Sequence, residues 1–182
     1  MPQYKIIELG KEDAEDLERL FKEVWPRAYE YPEGWRRKRT MSAEQIKKEM
    51  DEGYHYFGVR VGGRLVGAYK AKITERGCFG EQQSVLPEFC GKGVASAMYE
   101  QFIEFARCNK CKVNYVNILV GQKSGERLVQ KFGFRRVGEP YEQYPGMLVQ
   151  MWEREVEGVV DDEAAASAEA GAAVSGATHE KT

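Results

Sequence analysis

The chain has 182 residues, of which 42% are hydrophobic and 31% are charged. This length suffices for one domain with a hydrophobic core and is too short for two sizeable domains. No apolar run approaches the ~20 residues of a membrane span, and the first eight residues lack the apolar segment of a signal peptide. We therefore expect a soluble, cytoplasmic protein with no membrane partner.

Charge is unevenly distributed along the chain. The 27 basic and 29 acidic residues give a formal net charge of −2. Residues 159–182 hold five acids and one base, a charge of −4, which leaves +2 for residues 1–158. A general nucleic-acid-binding protein has a strongly basic surface, so the nearly neutral body argues against a nucleic-acid partner.

Four cysteines raise the question of a disulfide or a zinc site. They are Cys78, Cys90, Cys108 and Cys111. Only Cys108 and Cys111 have the spacing of zinc ligands, whereas structural zinc sites usually show two closely spaced pairs. We expect reduced thiols that pack as small apolar groups or lie at the surface, and no metal site.

The N-terminal half is predicted to contain two helices and four strands. Apolar residues at three- and four-residue intervals indicate a helix over Glu12–Trp25, which Pro26 ends. Residues 26–40 are predicted to form a loop rich in aromatic and basic side chains. Ser42–Gln45 resembles a capping box that opens a helix reaching Met50. The predicted strands are Tyr4–Leu9, Tyr54–Val61, Arg64–Ile73 and Phe79–Leu86.

The C-terminal half is predicted to alternate helices, Gly93–Arg107 and Ser124–Phe132, with strands. The strands are Val113–Val120, Phe134–Val137 and Met147–Val156. Hairpins followed by a β-α-β crossover predict an α/β (α+β) fold with a mixed, mostly antiparallel sheet and helices on both faces. Residues 159–182 lack aromatic residues and any aliphatic larger than valine, so we expect a disordered, acidic tail after a domain over residues 1–158.

A glycine-containing turn between a predicted strand and helix is the most informative part of the sequence. Gly91 and Gly93 precede the helix, and the unpaired N–H groups at a helix start can hold a phosphate or pyrophosphate. A Walker A loop is excluded because Leu86 and Gly93 stand where glycine and Ser or Thr are needed. A dinucleotide fingerprint is excluded because Ser96 replaces its third glycine. An ordinary strand-to-helix turn remains the alternative.

The segment Cys90–Ala95 resembles the Gln/Arg-x-x-Gly-x-Gly/Ala loop of the GNAT N-acetyltransferase superfamily. The flanking segments Val85–Phe89, Leu128–Phe134 and Met151–Glu155 also resemble that family. The resemblance covers about residues 4–156. It implies a GNAT-like fold with acetyl-CoA as co-substrate and a reaction in which an amine acceptor is acetylated.

The resemblance also implies where the coenzyme is bound. In the family, loop amides hold the pyrophosphate of coenzyme A, and backbone N–H groups of the preceding strand polarise the thioester. The implied coenzyme-binding residues are Val85, Leu86, Cys90, Gly91, Lys92, Gly93, Val94, Ala95 and Gln122. Departures from the family occur at Cys90, where Arg or Gln is usual, at Gln122, where Asn is frequent, and at Gly125, where Ala is frequent.

The sequence departs from the family at both positions that usually transfer protons. Phe79 stands where many members have the basic carboxylate, and Val129 stands where many have an acidic tyrosine. Glu81 shares a strand face with Phe79 and is our candidate base, acting directly or through water. Tyr144 and Tyr141, in the predicted loop before the last strand, are our candidate acids. A solvent-exposed glutamate and packing aromatic rings are the alternatives.

The main functional hypothesis is an acetyl-CoA-dependent N-acetyltransferase that acetylates a primary amine of a small molecule or protein by direct attack. One alternative is an acyl-CoA-binding module with this fold and little catalytic activity. Another is a nucleic-acid accessory protein that uses Arg36–Arg39. That basic run also fits an acidic substrate, the outer phosphate of the coenzyme, or a solvated helix entry. The acceptor and the oligomeric state, a homodimer included, stay open.

Overall fold

One seven-stranded sheet, in the order β1-β2-β3-β4-β5-β7-β6, runs through the computed structural model, which describes residues 3–159. The predicted tail lies outside the described residues, apart from residue 159. The strands are β1 (Ile7–Leu9), β2 (Tyr54–Val61), β3 (Arg64–Ile73), β4 (Cys78–Val85), β5 (Val113–Leu119), β6 (Arg135–Tyr144) and β7 (Met147–Glu155). The helices are α1 (Ala14–Val24), α2 (Glu33–Arg39), α3 (Ala43–Asp51), α4 (Val94–Cys108) and α5 (Lys123–Lys131).

Local sequence patterns account for most of these elements. Strands β2 and β3 have the predicted bounds, and they are joined at Gly62 and Gly63, which both have a positive φ. The capping box at the start of α3 is also present. The Ser42 hydroxyl accepts a hydrogen bond from the Gln45 N–H at 3.2 Å, and the Gln45 side chain accepts one from the Ser42 N–H at 2.9 Å.

Two segments predicted as loops contain regular structure instead. Residues 26–40 include helix α2, and the segment before the last strand is the end of β6. Helix α2 is held by the segment before it, because the Arg36 guanidinium donates to the carbonyls of Pro26 and Tyr31 at 2.9 and 3.2 Å, and by the packing of Trp35 on the distant Tyr144 ring at 5.8 Å. Strand β6 forms by pairing with β7 at the edge of the sheet. Neither segment shows a regular apolar period, so its sequence did not reveal its structure.

The sheet opens between β4, its central strand, and the neighbouring β5. Strands β4 and β5 are the one parallel pair in this sheet, and their pairing covers only Cys78–Gly80 and Asn114–Val116. Beyond Gly80 the two strands are not paired. Helix α4 packs closely at this point, since a Cβ on Gly80 would lie 2.7 Å from the Phe102 ring. The mixed, mostly antiparallel sheet therefore contains an opening that begins after Gly80.

Helices cover both faces of the sheet, as predicted. The neighbouring strand residues Tyr56 and Phe57 point to opposite faces. The Phe21 ring of α1 lies 6.4 Å from Tyr56, and the Phe105 ring of α4 lies 4.9 Å from Phe57. The core is continuous between the sheet and these two helices.

The four cysteines are free thiols, with Cys78 and Cys111 buried and Cys90 and Cys108 exposed. Within residues 3–159, no three His, Cys, Asp or Glu side chains come together in a way that could hold a metal ion. No helix in this part of the chain is both long enough and apolar enough to cross a membrane.

Candidate active site

A cleft of about 600 Å³ lies where β4 and β5 diverge. Its walls come from both strands, from α4 and α5, and from the turn before α4. The strand residues on its walls are Glu81, Gln83, Val85, Val116, Asn117 and Ile118. The turn and helix residues include Cys90, Gly91, Gly93, Ala95, Ser96, Met98, Tyr99, Phe102, Gly125 and Leu128. The opening in the sheet thus joins the glycine turn to the middle of the protein.

The glycine turn exposes backbone N–H groups at one end of this cleft. Gly91 and Gly93 have φ values of +75° and +90°, a conformation that side chains disfavour. A Cβ on Gly91 would meet no atom within 4 Å, so the space beside the backbone is open. The first bond inside α4 runs from the Ala97 N–H to the Gly93 carbonyl at 3.0 Å. The N–H groups of residues 94–96 therefore have no acceptor within the helix and can bind an anion.

The predicted coenzyme-binding residues of this turn differ in what they present to the cleft. Cys90 and Ala95 lie on its wall. The Val94 side chain is 1% exposed and belongs to the core, so only its backbone can contact a ligand. Lys92 is not among the residues that line the cleft, but its ammonium lies 5.4 Å from the ring centroid of Phe89, which does line it. Another cation, the Lys131 ammonium, donates to the Ser96 hydroxyl at 3.1 Å and adds positive charge at the start of α4.

The two strand amides that the resemblance selects, Val85 and Leu86, face opposite ways. The Leu86 N–H donates to the Val66 carbonyl at 2.9 Å, so it is used within the sheet and is not available to a ligand. Successive N–H groups of a strand point to opposite edges, which turns the Val85 N–H toward the open side. Val85 also lies on the wall of the cleft. The expectation for Leu86 is therefore corrected, and Val85 alone offers an amide.

Gln122 lies on the cleft wall and contacts a tyrosine that the proton-transfer hypothesis did not include. The Gln122 Nε2 atom lies 3.3 Å from the Tyr31 hydroxyl, and the Tyr31 ring packs against Trp25 with centroids 5.3 Å apart. Burial raises the pKa of Tyr31, so its hydroxyl keeps its proton at neutral pH. The sequence placed Tyr31 only in an aromatic-rich loop, because its approach to Gln122 depends on the fold.

A smaller cavity of about 50 Å³ lies beside the cleft. Tyr31, Glu81 and Asn117 line both spaces, so these three residues separate them. The rest of its wall is mostly aromatic and apolar, with one arginine. The other lining residues are Trp25, Trp35, Arg39, Phe79, Gln82, Leu119, Gln143, Met147 and Val149.

The candidate base Glu81 is held between two cations. Its Oε1 atom lies 2.8 Å from Arg39 Nη1 and 3.4 Å from Lys70 Nζ, and its side chain is 16% exposed. Burial favours a raised pKa, but the charges of Arg39 and Lys70 outweigh it and hold the pKa of Glu81 below its ordinary value. Glu81 is therefore an ionised hydrogen-bond acceptor at neutral pH and a weak base.

A β-bulge brings Glu81 and its neighbour Gln82 to the same arginine. The register changes between the Lys70–Glu81 and Ala68–Ser84 pairs, and Gln82 has a φ of +56°. The Gln82 amide donates to the Arg39 carbonyl at 2.8 Å and accepts from Arg39 Nη1 at 3.1 Å. Simple alternation assigns Glu81 and Gln82 to opposite faces, and it cannot reveal this shared contact.

The basic run on α2 is divided among several partners. Arg36 binds backbone carbonyls, as described above. The Lys38 ammonium lies 5.1 Å from the Tyr144 ring centroid, and Arg37 pairs with Glu33 at 2.5 Å on the surface. Arg39 is the one member of the run that lines either of the two cavities.

The candidate acids Tyr141 and Tyr144 lie on strand β6 and line neither cavity. Tyr141 is 40% exposed. Tyr144 packs on α2, with its ring 5.8 Å from Trp35, and its hydroxyl occupies the space that a Cβ on Gly34 would need. The extension of β6 removes these residues from the predicted loop. Val129, at the family's tyrosine position, is fully buried in the core.

Known proteins resemble both the sequence and the fold. A family model described as the acetyltransferase (GNAT) family matches residues 14–134. No curated protein matches the sequence. Among solved structures, YncA from Salmonella typhimurium, which contains acetyl-CoA, has a TM-score of 0.71 at 14% identity, covering 88% of this chain and 98% of that one.

Two further structures have similar scores. The ribosomal-protein-S18-alanine N-acetyltransferase from Escherichia coli has a TM-score of 0.69 at 12% identity, covering 87% of this chain and 97% of that one. The PaiA N-acetyltransferase from Thermoplasma acidophilum, in complex with coenzyme A, has a TM-score of 0.68 at 18% identity, covering 82% and 98%. At such identities these structures show a shared fold, while the family model spans about two thirds of the chain. The chain belongs to the GNAT family of acetyltransferases.

Proposed function

We propose that the protein is an acetyl-CoA-dependent N-acetyltransferase that acetylates a primary amine by direct attack. The observation that carries this proposal is the cleft itself. At one end it has the free N–H groups of residues 94–96, and further in it has the ionised Glu81 and the protonated Tyr31. One end suits a pyrophosphate, and the other suits proton transfer.

The residues of the turn fit coenzyme A. The open space beside Gly91, the free N–H groups of residues 94–96 and the ammonium of Lys131 would hold the pyrophosphate. The presence of acetyl-CoA and coenzyme A in the YncA and PaiA structures supports this assignment. When bound, acetyl-CoA supplies an activated acetyl group and a thiol leaving group.

Polarisation of the carbonyl is assigned to the backbone of β4. The Val85 N–H faces the open side of the strand, whereas the Leu86 N–H is used by Val66. A fixed N–H donor stabilises negative charge that develops on an oxygen, and it is more effective in a cleft that excludes water. We therefore assign this role to Val85 alone.

Glu81 is proposed to orient the amine and to receive its proton through water. Its lowered pKa makes it a poor direct base, but the ionised carboxylate can hold an N–H group or order a water molecule. Arg39 and Lys70 fix its position on two sides. Glu81 thereby keeps the role expected of it, with the route through water favoured.

Tyr31 is proposed as the proton donor to the departing thiolate. Its hydroxyl is protonated, lies at the boundary of the two cavities, and is held by Gln122. It takes the place of Tyr144 and Tyr141, which line neither cavity.

Direct attack is favoured over a covalent enzyme intermediate. Within residues 3–159, Cys90 and no other cysteine lies on the cleft wall. The histidine of this part of the chain, His55, contacts Glu8 at 2.8 Å and lies outside the cleft. A cysteine without a partner base is a poor nucleophile for acyl transfer.

A second candidate is a coenzyme-binding module with little catalytic activity. It is favoured by the side chains at the two positions that usually transfer protons in the family. Phe79 stacks on Tyr115 with centroids 4.9 Å apart, and Val129 is part of the core. In that case the cleft binds the coenzyme, whereas the polar groups near Glu81 only stabilise the fold.

The experiment combines a binding and a turnover measurement. Coenzyme A binding is measured by calorimetry, and thiol release from acetyl-CoA is followed with and without a panel of primary amines. The enzyme hypothesis predicts binding, amine-dependent thiol release, and no acetylation of the protein by intact mass spectrometry. Binding without thiol release for every amine would favour the module instead, and an acetylated cysteine would contradict direct attack.

A further inference from the structure

We infer that the acceptor is a small amine that also carries a carboxylate, in the manner of a free amino acid, and that Arg39 binds this carboxylate. The inference rests on the proposed function, because it names the substrate class of the same site. It is carried by two buried polar atoms without a partner, one donor and one acceptor, on side chains that line the smaller cavity.

The donor belongs to the guanidinium of Arg39. The side chain is 11% exposed, and its guanidinium carbon lies 4.5 Å from the Trp35 ring centroid. Nη1 is used by Glu81 and Gln82. Nε is buried and without a hydrogen-bond partner, and the hydrogen bonds that the guanidinium makes within residues 3–159 use Nη1 rather than Nη2. Together Nε and Nη2 form the side edge of the guanidinium, which matches the two oxygens of a carboxylate.

An unpaired donor at this place points to a ligand. Buried N–H groups nearly always have an acceptor, because leaving one unpaired costs free energy. The Arg39 guanidinium cannot turn away easily, since Trp35 covers it on one side and Glu81 and Gln82 hold Nη1. The free edge thus belongs to a firmly held side chain that lines the smaller cavity, and it suits an anionic group of the acceptor.

The acceptor atom is the side-chain oxygen of Asn117. This residue lies on β5 just beyond Val116, the last residue paired with β4, and it lines both cavities. Its Oδ1 atom is buried and accepts no hydrogen bond within residues 3–159. An amine N–H would satisfy it at the boundary with the cleft. Arg39 Nε thus lacks an acceptor and Asn117 Oδ1 lacks a donor. The carboxylate of an amino acid supplies the acceptor, and its amine supplies the donor.

The charges around the cavity favour a zwitterion over a simple amine. The charged residues that line the cavity are Arg39 and Glu81, which pair with each other, and Lys70 links Glu81 to Glu49. Two positive and two negative groups already balance. A bound amino acid adds one charge of each sign, whereas an amine without a carboxylate adds an unbalanced positive charge.

The size and walls of the cavity favour a free amino acid over a peptide. The cavity is only about 50 Å³ and is bounded by Trp25, Trp35 and Phe79. A peptide N-terminus has a neutral amide next to its amine, and that amide cannot form an ion pair with Arg39. A free amino acid instead carries an amine and a carboxylate on neighbouring atoms, and Asn117 and Arg39 line the same small cavity.

The test compares free amino acids with their α-carboxamides, which differ only in the charged group. Each compound is titrated by calorimetry into the protein loaded with coenzyme A, and its acetylation is measured with acetyl-CoA. We expect at least one acid to bind and react about 10- to 100-fold better than its amide, as for hydrogen bonds to a charged group. Equal values for every pair, or binding by no acid, would overturn the inference.

Two substitutions separate the roles of the two unpaired atoms. Arg39→Lys keeps a positive charge beside Glu81 but lacks the planar fork, so it should bring the ratio of acid to amide close to one. Asn117→Leu removes the amine acceptor, so it should weaken acid and amide alike and leave the ratio unchanged. The matched control is Arg37→Lys, an exposed position on the same helix, which should keep the wild-type ratio. A ratio unaffected by Arg39→Lys in a folded variant would also overturn the inference.

The same samples distinguish failure of this inference from failure of the proposed function. If neutral amines or peptides are acetylated as well as the acids, the carboxylate-binding role of Arg39 is wrong and the acetyltransferase stands. If coenzyme A binds and no compound of any class releases thiol, the proposed function is wrong. Calorimetric binding of the acids still decides the role of Arg39 in that second case.

Discussion

Arg39 Nη1 and Glu81 Oε1 lie 2.8 Å apart, so the last residue of α2 is tied to the strand at which the sheet opens. Glu81 lines both cavities, and Arg39 lines the smaller one. It gives Glu81 a fixed position and a lowered pKa, and it leaves the other edge of Arg39 free. One contact therefore links the proposed proton acceptor to the proposed carboxylate site.

The first prediction concerns the stability that this pair provides. Glu81→Gln should lower the free energy of unfolding at pH 7 by about 3 kcal/mol, because it leaves Arg39 and Lys70 without their common anion. The pKa of Glu81 is lowered on folding, so its carboxylate stabilises the protein above its ordinary pKa of 4.5. That contribution is lost as the pH falls through the lowered pKa of the folded state. Urea unfolding measured at pH values from 7 down through this lowered pKa follows the loss of stability.

The matched control for that measurement is Glu33→Gln. Glu33 also pairs with an arginine, but the pair lies on the surface of α2 and should contribute little. The prediction fails if Glu81→Gln is as stable as the wild type at pH 7, or if the difference between them grows as the pH is lowered.

The same Glu81→Gln variant tests the chemistry. We expect kcat to fall about 10²-fold, as for loss of a general base, while the affinity for coenzyme A stays unchanged. Steady-state kinetics and calorimetry provide the two values. A kcat close to that of the wild type would mean that the amine reaches the site already deprotonated and that Glu81 has only a structural role.

The second prediction concerns the glycine turn. Gly91→Glu should lower the affinity for coenzyme A more than 10-fold, because the new side chain brings volume and negative charge to the open space beside the backbone. Gly53→Glu is the matched control, since Gly53 also has a positive φ and open space around it but lies at the end of α3. The two variants should lose similar melting temperature. Equal coenzyme affinities in the two would place the coenzyme elsewhere.

The third prediction concerns the proton donor. Tyr31→Phe keeps the ring that packs on Trp25 and removes the hydroxyl, so kcat at pH 7 should fall about 10²-fold with coenzyme affinity retained. Tyr141→Phe, on the exposed part of β6, serves as the control and should keep the wild-type kcat. If instead Tyr141→Phe loses activity and Tyr31→Phe does not, the assignment of the acid must be reversed.

Local patterns in the sequence were sufficient for most of the fold. The hairpin of β2 and β3 and the capping box at Ser42 depend on neighbouring residues, so periodicity and turn chemistry reveal them. Helix α2 and the end of β6 depend on contacts with distant residues, such as the packing of Trp35 on Tyr144. Those contacts leave no regular apolar period, and both segments were predicted as loops.

The candidate site divides in the same way. The glycine turn is predictable because its chemistry depends on a few consecutive backbone groups. The contact between Tyr31 and Gln122 joins residues 91 positions apart, and no local pattern indicates it. The use of the Leu86 amide by Val66, and the bulge at Gln82, are likewise properties of strand pairing that appear only in the folded chain.

The most direct measurement is the fate of the acetyl group itself. The protein is incubated with free amino acids and acetyl-CoA that carries a ¹³C-labelled acetyl group, and the products are identified by mass spectrometry while thiol release is followed. We predict labelled N-acetylated amine in amounts equal to the thiol released, and loss of both in Gly91→Glu at limiting acetyl-CoA. Thiol release that yields labelled acetate and no labelled amine would contradict acetyl transfer to an amine.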